Sequence, residues 1–189
     1  MTPSNPIPRP AGPAIRIETE RLILRPYGVE HFEALHAIAS DPAMFLHSER
    51  GPMSSDEAWS RLLRHVGHWQ VAGYGVFAIE DKKTGRLVGE TGLTDFRRGL
   101  GSRFDGCPEI TWSVAADVQR RGYATEAAEA ALRWLDETLE APRSVCLIHI
   151  DNQVSLRLAE KLGYRPFHRQ DYKGYPAVLL ERDRGARGR

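Results

Sequence analysis

Cysteine is scarce in this chain. Cys107 and Cys146 are the only two among 189 residues, and they stand far apart. Two such residues build neither a disulfide framework nor a zinc pattern, so two reduced thiols in a cytoplasmic protein are expected. Long apolar runs are missing as well. No segment approaches the roughly 18 apolar residues that a membrane span needs. The opening MTPSNPIPRPAGP is rich in proline and has no apolar stretch, so it does not read as a signal peptide. Residues 1–13 are expected to form a disordered leader, and residues 183–189, charged and glycine-bearing, a disordered tail. An excess of either charge is also lacking: 26 Lys and Arg face 25 Asp and Glu. That balance gives no bulk drive toward nucleic acid or an anionic membrane, and any basic contact must be local. The seven histidines show no ligand clustering, and His65 with His68 lacks a third partner, so no metal site is expected. What remains is ordinary for a globular chain, with 41% apolar and 27% charged residues. One domain over residues 14–182 accounts for it.

Inside that domain the apolar period switches between two and 3.6. IRIETERLILRPY alternates as a strand, while GVEHFEALHAIASD and SSDEAWSRLLRHVGHWQ repeat as helices, the second opened by Ser54 or Ser55. YGVFAIED and RLVGETGLTDF are strands joined by the turn KKTG. A glycine-rich loop leads to the strand EITWSV, and TEAAEAALRWLDETL follows as a helix. SVCLIHI is a buried strand, DNQVSLRLAEKLGY a helix, and RPFHRQDY with YPAVLLERD a closing hairpin. Trp59, Trp69 and Trp134 fall at helical core positions. This order predicts an α+β fold with a mixed, mostly antiparallel sheet of six to seven strands flanked by four helices.

Between EITWSV and the next helix lies DVQRRGYATEA. Gly122 there permits a positive φ, and Ala124 keeps the neighbouring surface low. The first-turn N–H groups of the helix point back over this loop, with Arg120 and Arg121 beside them. Clustered N–H donors at a positive helix end suit an anion, above all a diphosphate. The plainer reading is a left-handed turn with solvated arginines. Neither GxxxxGK[ST] nor GxGxxG occurs, which excludes those phosphate loops.

Gln119-Arg120-Arg121-Gly122-Tyr123-Ala124 resembles the [QR]xxGx[GA] signature of the GNAT acetyltransferases. IDNQVSLRLAEKLGYRPF resembles that superfamily's second block, and TERLILRPY its first strand in the Rim-type branch, which includes ribosomal-protein N-terminal acetyltransferases. The likeness runs from Ile15 to Arg182. It implies the GNAT fold, splayed between its fourth and fifth strands, with acetyl-coenzyme A as donor. It implies an amine acceptor, either a protein N-terminus or a small amine such as an aminoglycoside or polyamine, and allows a homodimer. Gln119, Arg120, Arg121, Gly122, Tyr123, Ala124 and Thr125 would hold the pyrophosphate. Trp112, Ser113 and Val114 would meet the pantetheine arm and thioester, the Val114 N–H polarising the carbonyl. Asn152 would cap its helix, bind the arm, or do both. Many relatives place a Tyr where this chain has Ala159, which leaves Ser155 as the nearest hydroxyl for the departing thiolate. An alkyl ammonium has a pKa of about 10.4 and must lose a proton before attack. Glu90 and Glu109 are the candidate bases, unless they are merely solvated carboxylates on their strands. The rival from another class is a non-catalytic coenzyme A-binding module, which the missing Tyr would suit.

Overall fold

The computed structural model describes residues 15–45, 51–139, 141–186 and 188; the leader expected over residues 1–13 lies outside the described residues. Among the described residues, eight strands form one sheet in the order β1-β2-β3-β4-β5-β6-β8-β7. They are β1 (Ile17–Glu18), β2 (Leu22–Pro26), β3 (Val76–Asp81), β4 (Leu87–Thr94), β5 (Glu109–Val114), β6 (Arg143–His149), β7 (Arg165–Tyr172) and β8 (Tyr175–Asp183). The count exceeds the expected six to seven because the first strand breaks at Thr19. The Thr19 N–H donates to the Leu22 carbonyl at 3.0 Å, and its hydroxyl accepts the Leu22 N–H at 3.0 Å, which folds one run into two. Neighbouring strands are antiparallel except β5 and β6, which run parallel.

Among the described residues, four α-helices flank the sheet: α1 (Phe32–Ala39), α2 (Ser55–Ala72), α3 (Tyr123–Thr138) and α4 (Gln153–Lys161). Ser54, not Ser55, is the N-cap of α2, and its N–H donates to the Glu57 carboxylate at 2.8 Å. Gly73 ends α2 at φ +75°, a left-handed position that glycine takes without a Cβ penalty. The alternation of β3 divides the two layers. Val76 and Ala78 pack with Tyr27, Leu35 and Leu62 beneath α1 and α2. Phe77 and Ile79 pack with Val88, Ala127, Ala130 and Ala131 beneath α3. The alanines bring α3 close to the sheet because they carry no bulk at the contact. On the same side α4 sets Ala159 and Leu162 against Cys146 and Ile148.

Two expectations change at this level, that for Trp59 and that for the tail. Trp59 is 39% exposed, because its place on α2 turns it from the sheet toward an edge-on contact with Phe32. Trp69 is buried, and its indole N–H donates to the Val76 carbonyl at 2.9 Å. His68 is a strut between loops: its Nδ1 lies 2.6 Å from the Tyr74 carbonyl, and its Nε2 accepts the Asp95 N–H at 3.0 Å. The tail expected to fray from residue 183 is held further on. Asp183 ends β8, and Gly185 donates its N–H to the Asp136 carboxylate at 3.2 Å.

Phe77 is fully buried between Trp69 and Trp134. Phe77→Ala is expected to cost about 3–5 kcal/mol, through lost burial and the cavity left between helix and sheet. Urea unfolding of the two proteins measures this, and a loss below about 1 kcal/mol would mean the layer closes over the gap.

Candidate active site

The parallel pair β5–β6 is joined at a single register point, Glu109↔Val145, where the Val145 N–H donates to the Pro108 carbonyl at 3.0 Å. Beyond it the strands part. The phase of the neighbouring ladder decides what the gap receives. Ala115 donates its N–H to the Val88 carbonyl at 2.8 Å, and the β4–β5 register runs without interruption from Gly89↔Val114 to Thr94↔Glu109. Hydrogen-bonded residues alternate along an antiparallel ladder, so Ser113 and Thr111 point their backbone groups at β4. Trp112 and Val114 turn theirs the other way, toward the side that β6 has left. A ligand that lies along β5 can pair with these groups as a strand would.

At the far end of β5 the chain passes through residues 115–122 into α3. Arg120 has φ +60° and Gly122 φ +80°, so two left-handed residues curl the loop. Gly122 is the N-cap of α3, and no side chain caps the helix. The first intrahelical bond is from the Glu126 N–H to the Gly122 carbonyl at 3.0 Å. The N–H groups of Tyr123, Ala124 and Thr125 therefore fall in the uncapped first turn, with Gln119, Arg120 and Arg121 exposed beside them. This donor set fits a diphosphate: several N–H groups, a positive helix end and two arginines. The Gln119 amide donates to the Val114 carbonyl at 3.4 Å and so folds back along the strand end.

Helix α4 starts beside the same gap. Asn152 caps it, its Oδ1 accepting the Ser155 N–H at 3.0 Å, which leaves the amide nitrogen as a donor. The Ser155 hydroxyl accepts the Trp112 indole N–H at 3.3 Å, and its own proton stays available to a further acceptor. Ala159 is fully buried and Tyr164 is a core residue, its hydroxyl 2.6 Å from that of Ser144. Ser155 is thus the hydroxyl that the structure sets between α4 and β5.

On the opposite face of β5, Ser113 and its cross-strand neighbour Glu90 border a cavity of about 70 Å³ that Tyr27, Leu35, Met44 and Arg61 also line. Glu90 is buried and ion-paired with Arg61. It also lies 3.3 Å from His65 Nε2 and accepts from the Tyr27 hydroxyl at 3.3 Å. Burial by itself would raise the Glu90 pKa, but the Arg61 guanidinium and the His65 ring outweigh it and hold the carboxyl far below the usual carboxylate range. Such a carboxylate has little affinity for a proton. Glu109 is buried on the same face as Ser113, with both oxygens taken by Arg98, Nε to Oε2 at 2.6 Å and Nη2 to Oε1 at 2.8 Å. Burial pushes its carboxyl above the ordinary value, against the pull of Arg98. Arg98 also donates to the Tyr172 hydroxyl at 3.1 Å and stacks over the rings of Phe96 and Tyr172. Neither glutamate is a free solvated carboxylate.

The structure brings Trp112, Val114, Asn152 and Ser155 around one gap and the 119–125 loop to its mouth, with Glu90 and Ser113 across the strand. Glu109 stands apart, at the closed end of the wedge. Arg61, His65, Tyr27 and Arg98 are absent from the sequence-based set. Arg61 and His65 are i, i+4 on α2, which places them on one helical face, but nothing in one chain says that Glu90 lies under that face.

Residues 21–165 match the family model of the acetyltransferase (GNAT) domain. A solved structure described as a GNAT-family acetyltransferase from Bordetella pertussis is 36% identical, superposes with a TM-score of 0.81, and is covered over 99% of its length by 89% of this chain. The uncharacterized N-acetyltransferase YnaD of Bacillus subtilis is 24% identical over 151 residues, 80% of this chain and 83% of its own. RimL, a ribosomal L7/L12 alpha-N-protein acetyltransferase solved with coenzyme A, shares the fold at a TM-score of 0.72 and 16% identity, over 89% of this chain and 98% of its own. With a family match over most of the chain and the broken parallel pair at its centre, the protein belongs to the GNAT family and is an acetyl-coenzyme A-dependent acetyltransferase.

Proposed function

We propose that the protein transfers acetyl from acetyl-coenzyme A to the primary amine of a peptide N-terminus or a small monoamine, by direct attack in a ternary complex. The observation that carries this is the placement of β5 between two sites. Trp112 and Val114 turn backbone N–H groups into the gap on one side, and Ser113 meets the acceptor cavity across the strand. The N–H of Val114 stabilises charge on the thioester oxygen, and removing a donor of this kind costs roughly 10²–10³ in rate elsewhere. Asn152 and Trp112 align the arm, and residues 119–125 hold the diphosphate. The Ser155 hydroxyl donates to the departing sulfur.

The charge at the acceptor side favours a monoamine over a polycation. Glu90 and Glu109 are each neutralised by an arginine. Of the acids near α1 and α2, Glu57 accepts the Ser54 N–H, Asp56 the Ser54 hydroxyl and Asp41 the Ala43 N–H, Glu30 lies 3.7 Å from Arg25, and Glu33 is exposed. Glu49 lies outside the described residues. Among the residues that line the cavity Glu90 is the one acid, and Arg61 already pairs with it, so a second cation held inside would lack a counter-charge there. Arg61 can instead meet a carbonyl or carboxylate next to the reacting amine. Glu90 positions Arg61 and does not take the proton, which passes to water before attack.

Release of free thiol from acetyl-coenzyme A over a panel of amines tests the reading. A short peptide α-amine is expected to be acetylated with a higher kcat/KM than spermidine, and rates should rise with the free-amine fraction. No release with any amine would leave a non-catalytic binding module. Ser155→Ala is expected to lower kcat about tenfold or more with little change in KM for acetyl-coenzyme A, as general-acid help reaches roughly 10²–10⁴. A parent-like kcat would give proton delivery to solvent.

Glu90 also makes stability depend on pH. Its folded pKa is depressed, so its contribution is complete above the unfolded value of about 4.3 and is lost as pH falls toward the folded one. Glu90→Gln strands Arg61 and is expected to cost about 3–5 kcal/mol at pH 7. The gap between parent and variant should be flat from pH 9 to 5 and shrink below about pH 4. Urea unfolding at several pH values reads it out. A gap that grows on acidification would mean Glu90 is protonated in the folded protein.

A further inference from the structure

Arg21 lies about a hundred residues from the 119–125 loop, in the turn between β1 and β2, and carries no part in the chemistry above. Its side chain nevertheless reaches that loop. Arg21 Nη1 donates to the Arg121 carbonyl at 2.8 Å, and Arg21 Nε donates to Glu126 Oε2 at 2.7 Å. The other oxygen of Glu126 takes the Arg21 backbone N–H at 2.9 Å and the Thr19 hydroxyl at 2.5 Å. The guanidinium also stacks on the Tyr123 ring, 4.6 Å from its centre, and the Tyr123 hydroxyl donates to Asp81 at 2.6 Å. A Cβ on Gly122 would come within 3.3 Å of Arg21 Nη2. Three consecutive loop residues, with Glu126 one helical turn on, thus close around one guanidinium.

We propose that Arg21 is a positioning residue for the diphosphate loop. An anion cradle works only if its N–H groups face the ligand and its carbonyls do not. The Arg121 carbonyl is the oxygen most able to spoil it, since it sits between the left-handed residues Arg120 and Gly122. Arg21 turns that carbonyl aside by giving it a charged donor. The same guanidinium is held by Glu126 in the first turn of α3, so loop and helix start move as one body. Glycine at 122 then has two reasons: the positive φ, and the room its missing side chain leaves to Arg21. A lysine cannot replace this arginine. It has one ammonium where the site uses a fork that reaches a carbonyl and a carboxylate at once.

The inference rests on the reading of residues 119–125 as the coenzyme A cradle, so its test separates the two. Calorimetry on the folded protein measures the affinity for coenzyme A of the parent, Arg21→Gln, Arg21→Lys and Glu126→Gln. Thermal unfolding without ligand is run alongside. All three variants are expected to bind coenzyme A about tenfold or more weakly, the cost of one charged hydrogen bond. S-acetylpantetheine, which lacks the diphosphate, distinguishes a cradle defect from general damage. The ratio of kcat/KM for acetyl-coenzyme A to that for S-acetylpantetheine should fall at least about fivefold in Arg21→Gln, since only acetyl-coenzyme A reaches the cradle and the variant removes one charged hydrogen bond that shapes it. Parent-like affinity in Arg21→Gln, or an equal loss with both donors, overturns the role given to Arg21. If Arg21→Gln unfolds, Glu126→Gln, which keeps the guanidinium and removes its ionic anchor, decides by the same ratio. A parent that does not bind coenzyme A overturns the cradle itself, and with it the proposal.

Discussion

One parallel pair of strands that stays together for a single register point is the constraint on which the site depends. Strands β5 and β6 meet at Glu109↔Val145 and then separate. A sheet interior does not tolerate unpaired backbone donors at low cost, so a gap of this kind persists only where something else can satisfy them. The core shows what keeps it open. The face of β6 toward α3 and α4 is packed by Cys146 and Ile148, and its other face by Val145 and Leu147 against Phe104 and Leu179. β6 is thereby anchored to β8 along seven register pairs, while β5 is anchored to β4 along six. Each strand is held by its outer neighbour, and the opening between them is the remainder.

Charge follows the same logic of commitment. The buried carboxylates of Glu90 and Glu109 are each met by an arginine from a different element, Arg61 on α2 and Arg98 in the loop after β4. Paired ions in a low-dielectric interior are costly to separate, so these pairs fix the geometry of both elements. A carboxylate that seems a base in one dimension becomes an anchor for a guanidinium in three. On the function we propose, the acceptor side recognises a polar group next to the amine and does not abstract its proton.

The loop of residues 119–125, which we propose holds the diphosphate, is likewise held from outside. Its own sequence supplies a glycine and a small residue at the turn, but Arg120 adopts φ +60° without being glycine. Backbone strain of this sort persists where surrounding structure over-determines the conformation. The contacts from Arg21 and from Asp81 to Tyr123 are the surrounding structure here.

Local signals carried much of this in the sequence itself. Gly122 and Ala124 before an apolar-periodic run marked the left-handed turn that opens α3, because a positive φ and a helix start have local causes. Ser54 or Ser55, and Asp151 or Asn152, marked helix starts for the same reason, and the structure selects Ser54 and Asn152. The alternation of VFAIED and the alanine face of TEAAEAAL assigned sheet and helix correctly, since period follows from backbone geometry alone. The break at Thr19 was missed, because alternation continues through a turn that one side-chain hydrogen bond creates. The parting of β5 and β6, the fourth and fifth strands of the sequence-based order, was implied by the family resemblance, whereas tertiary structure alone decided that Trp112 meets Ser155, and that Arg61, Arg98 and Arg21 close on Glu90, Glu109 and the Arg121 carbonyl. Each of these joins residues distant along the chain. No single-chain pattern encodes such a distance, because it is set by the packing of both faces of the sheet at once.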